Sequence, residues 1–368
     1  DRVWRLTPVI SAVLLASAAA TLASPGGAQR PAEGGELVLE AKTFLSHGDP
    51  IAAEVRLKDA LDKGVPRDAV AAYMGEALLA QDQLERARNW LQDGIFTPSS
   101  AAIGFRSLAI LERREGHLQA AGKAFDRAMA IAPKDAGLWV EIARLRYVGG
   151  EHLLAIEAAD YALELDRNNA RALELQGQLV RDRTGLAASL PWFAQAHAKA
   201  PQDISILGEY AATLGEIGQY VRMLELTRHM LEVDPGNPRA YYLQSVMAAR
   251  AGNYRLARRL FAKTEGALED VPGAMLLEGV LEMAAGNPTL AIEVLEPLVR
   301  KQPGNAKARN LLARALFLAG EYKYLVEQFA EAGRAEDAPP YLQAVVARAY
   351  ENLDQRTEAG FLLDRAAR

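Results

Sequence analysis

The sequence predicts an all-α fold, a solenoid of about ten antiparallel helix pairs, and three observations predict it. The first is an interval of 34 residues. Gly48, Gly116, Gly150, Gly218, Gly252, Gly286 and Gly320 lie 34 or 68 positions apart (150 − 116 = 34; 116 − 48 = 68), and Asp82, Thr184 and Asp354 occupy the remaining slots. A period in this range marks stacked supersecondary units rather than one globular core. The second is a row of small residues in the same frame: Ala41, Gly75, Ala109, Ala143, Gly177, Ala211, Ser245, Gly279, Ala313 and Ala347, answered twelve positions later by Ala53, Ala87, Ala121, Ala155, Ser189, Ala257, Ala291 and Ala359. The third is the large apolar residue that follows, at Leu57, Leu91, Phe125, Phe193, Phe261, Leu295, Phe329 and Leu363. Small residues let two helices approach closely, and the large one fills the gap above them.

From the N-terminus, Arg2 and Arg5 precede an apolar Ala- and Leu-rich stretch from Val9 to Ala23, followed by Ser24-Pro25-Gly26-Gly27-Ala28. The pattern reads as a secretory signal peptide over 1–28, with cleavage after Ala28 and an exported, periplasmic product. The alternative is an uncleaved N-terminal membrane anchor. A lipid anchor needs a cysteine, and the chain has none. Residues 29–35 are a flexible linker by composition, and the solenoid is expected over 36–368.

The unit at 136–169 shows the logic of each repeat. Trp139, Ile142, Ala143 and Tyr147 fall at helical spacing, and Gly149-Gly150 ends that helix because glycine tolerates the left-handed cap. A second helix from about Glu151 to Leu165 packs through Ala155, Ala158, Ala159 and Ala162, and Asp166-Arg167-Asn168-Asn169 turns into the next unit. Pro133, Pro201, Pro235 and Pro303 close other units, since proline cannot continue a helix. Two units depart from the pattern. The sixth has Met223, Thr227 and Met230 where small, large and small residues are expected, and the ninth has Leu325 in the small slot, which predicts a local widening of the helix pair. The last unit runs into Ala366-Ala367-Arg368 with Phe361, Leu362 and Leu363 on its second helix and no polar helix after it. This predicts an end covered by further residues, a partner or a second copy.

Ala121-x3-Phe125-x2-Ala128 with Pro133 resembles the second half of a tetratricopeptide (TPR) repeat, and Trp139-x2-Ile142-Ala143 resembles the first half. Ten such units in phase begin near 34, 68, 102, 136, 170, 204, 238, 272, 306 and 340. The resemblance implies a right-handed superhelix. It also implies a concave surface lined by positions two, five, nine, twelve and thirteen of each first helix. At those positions stand Arg106, Arg113, Arg114, Arg144, Tyr147, Arg171 and Arg181, opposed within the same units by Glu174 and Asp182. Arginine beside an aromatic suits carboxylates, phosphates or sugar acids. Further along, the groove positions carry Tyr242, Val246, Leu276, Val280, Met283 and Phe317, flanked by Arg239, Arg250, Asn310 and Arg314. Apolar residues on such a face mark a binding surface.

The TPR clamp for chaperone carboxylates needs asparagine at the ninth position. The ninth positions here run Lys42, Glu76, Ile110, Arg144, Gln178, Ala212, Val246, Val280, Arg314 and Arg348, so no such clamp is expected. Ala41 to Asp49, with Ala52-Ala53 and Leu57 to Leu61, is also similar to the opening repeats of bacterial envelope TPR proteins of exopolysaccharide export and PEP-CTERM systems.

Other chemistry is not written in the chain. Net charge is −5, without the basic footprint of a nucleic-acid binder. Five histidines, His47, His117, His152, His197 and His229, show no i,i+4 pair and read as solvated surface residues without a metal. No phosphate loop or nucleophile elbow occurs, and no cofactor is expected. The sequence therefore points to a non-catalytic scaffold of the bacterial cell envelope that holds a protein or peptide, anionic in one reading, in its groove. The alternative is an adaptor for polysaccharide synthesis or export, contacting an anionic polymer or its machinery.

Overall fold

The computed structural model describes residues 30–367, in which twenty α-helices and no strands are found. The expected signal peptide lies outside the described residues. Two compact units divide the chain, Asp1–Pro133 and Lys134–Arg368. The first holds α1 (Arg30–Ser46), α2 (Pro50–Asp62), α3 (Arg67–Ala80), α4 (Leu84–Leu91), α5 (Ala101–Arg114) and α6 (Leu118–Ile131). The second begins with α7 (Ala136–Val148), α8 (His152–Leu165), α9 (Ala170–Thr184), α10 (Leu186–Lys199), α11 (Ile204–Glu216), α12 (Tyr220–Val233) and α13 (Pro238–Arg250). It continues with α14 (Tyr254–Ala262), α15 (Pro272–Ala284), α16 (Pro288–Lys301), α17 (Ala306–Leu318), α18 (Tyr322–Arg334), α19 (Pro340–Asn352) and α20 (Arg356–Ala366). Odd and even helices are the first and second helices of ten hairpins. Within each unit a first helix packs on its hairpin partner and on the first helix of the next hairpin, as α7 does on α8 and α9. This is the neighbour-only packing of a solenoid.

Residues 30–35, expected as linker, already belong to α1. The glycines misled that reading. A Cβ at Gly34 would lie 2.4 Å from a methyl of Val65, so glycine there serves a close approach of α1 to the α2–α3 turn.

The 34-residue frame is visible in the backbone. The punctuating glycines sit at positive φ, as at Gly150 (φ 80) and Gly252 (φ 75), and Asp82 (φ 58) and Asp354 (φ 59) adopt the same conformation in their slots. The slot at Thr184 differs: α9 runs through it, and Gly185 takes the turn one residue later at φ 117. A second device recurs at the repeat's last position. Asp135, Asn169, Asp203, Asn237 and Asn305 accept hydrogen bonds from backbone N–H groups in the first turn of the following helix. Each such cap is worth about 1 kcal/mol.

The small positions are the core seam. A Cβ at Gly75, Gly177 or Gly279 would come within 2.3, 2.9 or 2.6 Å of Leu91, Phe193 or Leu295, the large residue of the same hairpin. Ala53, Ala87, Ala121, Ala155, Ala257 and Ala291 are wholly buried. The bulk expected to widen the sixth unit is accommodated on the facing helix. Met223 is buried, and its sulfur lies 2.6 Å from where a Cβ of Gly215 would be, so a large residue on α12 is matched by none on α11. Leu325 is likewise fully buried.

Candidate functional site

The first helices bury one stripe and leave the opposite one open, which fixes where the groove residues project. On α17, Ala308, Leu312, Ala313, Ala315 and Leu316 are buried, whereas Lys307 and Arg314 are exposed and Asn310 and Phe317 half-buried. The i, i+3, i+7 spacing of 307, 310 and 314 puts them on one face.

Of the arginines expected to await an anion, Arg106, Arg114, Arg144, Arg171 and Arg181 are already held by carboxylates. In the first unit the Arg106 guanidinium donates to Glu76 at 3.0 Å. Arg114 reaches the Leu79 carbonyl at 3.0 Å and Asp82 at 3.2 Å, and Arg113 is half-buried in the last turn of α5. In the second unit Glu174 is wholly buried and accepts from Arg144 at 3.2 Å, Arg171 at 3.3 Å and the Ser205 hydroxyl at 2.6 Å. Arg171 also pairs with Asp203 at 2.9 Å. Glu209 receives Arg181 at 2.8 Å and Arg239 at 2.7 Å. Burial pushes the Glu209 carboxyl up, but the two guanidinium groups outweigh it and hold the carboxyl below the usual range. The Tyr147 hydroxyl donates to Asp182, which raises its pKa, and its ring lies edge-on to His152 at 5.3 Å.

These contacts form a ladder between successive first helices. The expectation of two opposing acids, Glu174 and Asp182, missed Glu76, Asp203 and Glu209. A signal was present: Arg106 and Glu76, Arg144 and Glu174, and Arg239 and Glu209 are each 30 residues apart. A fixed offset just short of the repeat length is what pairing between adjacent first helices requires.

Of the groove residues beyond the ladder, Tyr242, Val246 and Arg250 come together. With Tyr220, Met223 and Met247 they line a cavity of about 160 Å³ between α11, α12 and α13. Burial pushes the Tyr242 hydroxyl pKa up, and Arg250 donates to the Gly215 carbonyl and the Tyr220 hydroxyl, both at 3.2 Å. Leu276, Met283 and Phe317 pack their inner sides against the hydrophobic cluster of the last repeats, and Val280 is half-buried beside them on α15. A second hollow, about 350 Å³, lies between Tyr147, His152, Leu153, Ile156, Leu179 and Asp182.

Histidine chemistry departs from the expectation at two residues. His197 is half-buried between Tyr210 and His229, at ring distances of 6.2 and 6.4 Å, and burial lowers its pKa. His117 meets Glu112 at 2.8 Å. Among the described residues, the ligand atoms of Glu112, Glu115 and His117 lie within 4.8 Å of one another, a spacing a metal ion could span. The Arg88 guanidinium binds both carboxylates, however, and already supplies the positive charge there.

The tetratricopeptide repeat model matches residues 276–323, which cover most of α15, all of α16 and α17, and the start of α18. No curated protein sequence matches the chain. Among solved structures, a chain of the APC/C hetero-tetramer Cut9-Hcn1 is similar over 91% of this chain and 76% of its own, with 13% identity and a TM-score of 0.62. A tetratricopeptide repeat protein from Parabacteroides merdae aligns over 63% of this chain and 92% of its own, at 18% identity and a TM-score of 0.44. Pseudomonas aeruginosa pilF aligns over 59% and 99%, at 19% and 0.47. No helix among the described residues is long and apolar enough to cross a membrane. Residues 276–323 carry the tetratricopeptide repeat pattern, and the hairpins that repeat every 34 residues along the described chain form a solenoid of that kind.

Proposed function

We propose that this protein is a non-catalytic scaffold that captures an extended segment of a partner protein on the open face of its first helices. One observation carries the reading. Tyr242, Val246 and Arg250 line a cavity of about 160 Å³ on that face, where polar and apolar groups converge as a side-chain pocket requires. Half-buried Leu276, Val280, Met283 and Phe317 extend apolar surface along the following helices. Selection of peptides from a displayed random library against the full chain tests it. Enriched peptides should lose binding when Val246 is replaced by Asp, and a library that yields no such peptide refutes the reading. The polysaccharide alternative relied on free arginines, and Arg144, Arg171 and Arg181 are engaged by carboxylates instead.

The same reading places the protein outside the cytoplasm, in the bacterial envelope, on the strength of the basic, apolar and small-residue run before Gln29. N-terminal sequencing of the protein from its producing cell should return a chain starting near Gln29. An intact Arg2–Ala28 segment in the membrane fraction would establish the anchored form.

A further inference from the structure

The repeat frame allows the ladder to be compared position by position with the last repeats. Glu174, Asn310 and Ala344 stand at the same point of their repeats (310 − 174 = 136, four intervals of 34; 344 − 310 = 34). Arg171 and Lys307 correspond in the same way, as do Arg144 and Arg314 (307 − 171 = 136; 314 − 144 = 170). In the ladder, Glu174 takes Arg171 from its own helix and Arg144 from the helix before. In the last repeats the cations are kept and the carboxylates are gone. Asn310 faces Lys307, and Ala344 stands where a partner for Arg314 would be. Among the described residues neither Lys307 nor Arg314 has a carboxylate within 4.0 Å, and both are exposed. The acid nearest in sequence on the open face of α19, Glu351, makes no ion pair with them.

We propose that the open face of α15, α17 and α19 binds an acidic–apolar peptide segment whose carboxylates replace those missing from the ladder. Resting on the capture of an extended segment set out above, the inference names that segment's chemistry and its seat. One carboxylate sits between Lys307 and the Asn310 amide. A second sits at Arg314 beside Tyr341, over the small side chain of Ala344. The apolar side chains of the segment lie on Leu276, Val280, Met283 and Phe317. Lys307 and Arg314 stand seven residues apart on α17, about 10 Å along a helix that rises about 1.5 Å per residue, and an extended chain advances about 3.3 Å per residue, so the two acids are about three residues apart. Charge complementarity selects this occupant: guanidinium groups in the ladder already have internal partners, whereas these two cations have none.

The probe is a fluorescein-labelled ten-residue peptide with two aspartates three positions apart and leucine and phenylalanine beside them. A sister peptide carries asparagine in place of both aspartates. Fluorescence anisotropy with the full chain should show the aspartate peptide binding about tenfold tighter, two exposed charge pairs being worth that much. The difference should shrink as salt rises from about 50 to about 500 mM, because such pairs are screened. Lys307→Glu with Arg314→Glu should abolish the preference and turn it toward a lysine version of the peptide. Asn310→Glu with Ala344→Glu should weaken the aspartate peptide while circular dichroism stays unchanged and the thermal midpoint does not fall, since the added carboxylates occupy the cations from within. Equal binding of the aspartate and asparagine peptides overturns the inference and leaves peptide capture standing. Binding of neither peptide overturns it as well, and the library selection then decides separately whether the chain captures peptides at all.

Discussion

Helices α7 to α13 and helices α15 to α19 are built on one plan and differ in one respect. Both bury a small residue at the same position of every first helix, from Ala143 to Ser245 in one and from Gly279 to Ala347 in the other. In the first stretch carboxylates at Glu174 and Glu209 tie the open faces of successive helices together. In the second, the open faces carry Lys307 and Arg314 without such ties and more apolar surface. The difference teaches that packing makes the solenoid, whereas charge sets which open faces tie to their neighbours and which keep their cations unpaired. An Arg–Glu pair between adjacent helices stiffens a joint but consumes the groups that would otherwise recognise a ligand.

The strongest way to break this comparison is to remove the ladder's central acid. Glu174→Ala strips Arg144 and Arg171 of a partner that is fully buried. Losing one member of a buried pair should cost about 3 kcal/mol. Arg314→Ala should stay within about 0.5 kcal/mol, as an exposed residue without an ion pair does. Urea titration of both variants measures the contrast, and similar losses would show that the ladder is ornament.

A second test asks what the two stretches share. Ala155 and Ala291 occupy equivalent positions and are both fully buried. Replacing either by Phe should overpack its hairpin at about 1–3 kcal/mol, with Glu157→Phe as an exposed control. Thermal melts that separate the two alanines widely would mean that the seam is not common to both stretches.

How much of this the sequence disclosed follows from the range of each interaction. Hairpins, αL turns and seam residues depend on spacings within one repeat, so the period exposes them. Thr184 shows the limit, because Gly185 beside it took over the turn. The linker reading failed at Gly34, where glycine is a contact with Val65 and composition cannot tell a contact from slack. The groove arginines were legible as residues and illegible as ion pairs. Glu209 belongs to the repeat after Arg181 and before Arg239, so no single repeat contains the interaction. Seeing it requires laying neighbouring repeats side by side.

A smaller effect comes from transplanting the ladder. Asn310→Glu places an acid beside Lys307 and should raise stability by at most about 1 kcal/mol, the scale of an exposed pair. A loss of that size in chemical denaturation would show that the two faces are not equivalent.

The smallest expected effect is one of sign. Glu209 has a folded pKa below its ordinary 4.5, so its contribution is present above that value and disappears as pH falls through the folded one. Glu278 on α15 is displaced upward by burial, with Glu282 and Glu269 adding to it. Its contribution is present below the ordinary value and disappears as pH rises through the folded one. Hydrogen exchange measured from about pH 7 down to about pH 3 should therefore show α11 losing protection relative to α15. The reverse order would contradict the assignment of these two carboxyls.

The 30-residue offset of the ladder also bears on how such a chain can change over time. The repeat of α9 holds one half of two different pairs, Arg181 reaching forward to Glu209 and Glu174 reaching back to Arg144. Recombination that placed the repeat of α17 directly after that of α7 would set Asn310 against Arg144 and strand a guanidinium at the seam. The repeats are therefore alike in shape but not interchangeable in order. Their sequence along the chain is itself inherited information, kept by electrostatics where packing alone would let the modules shuffle.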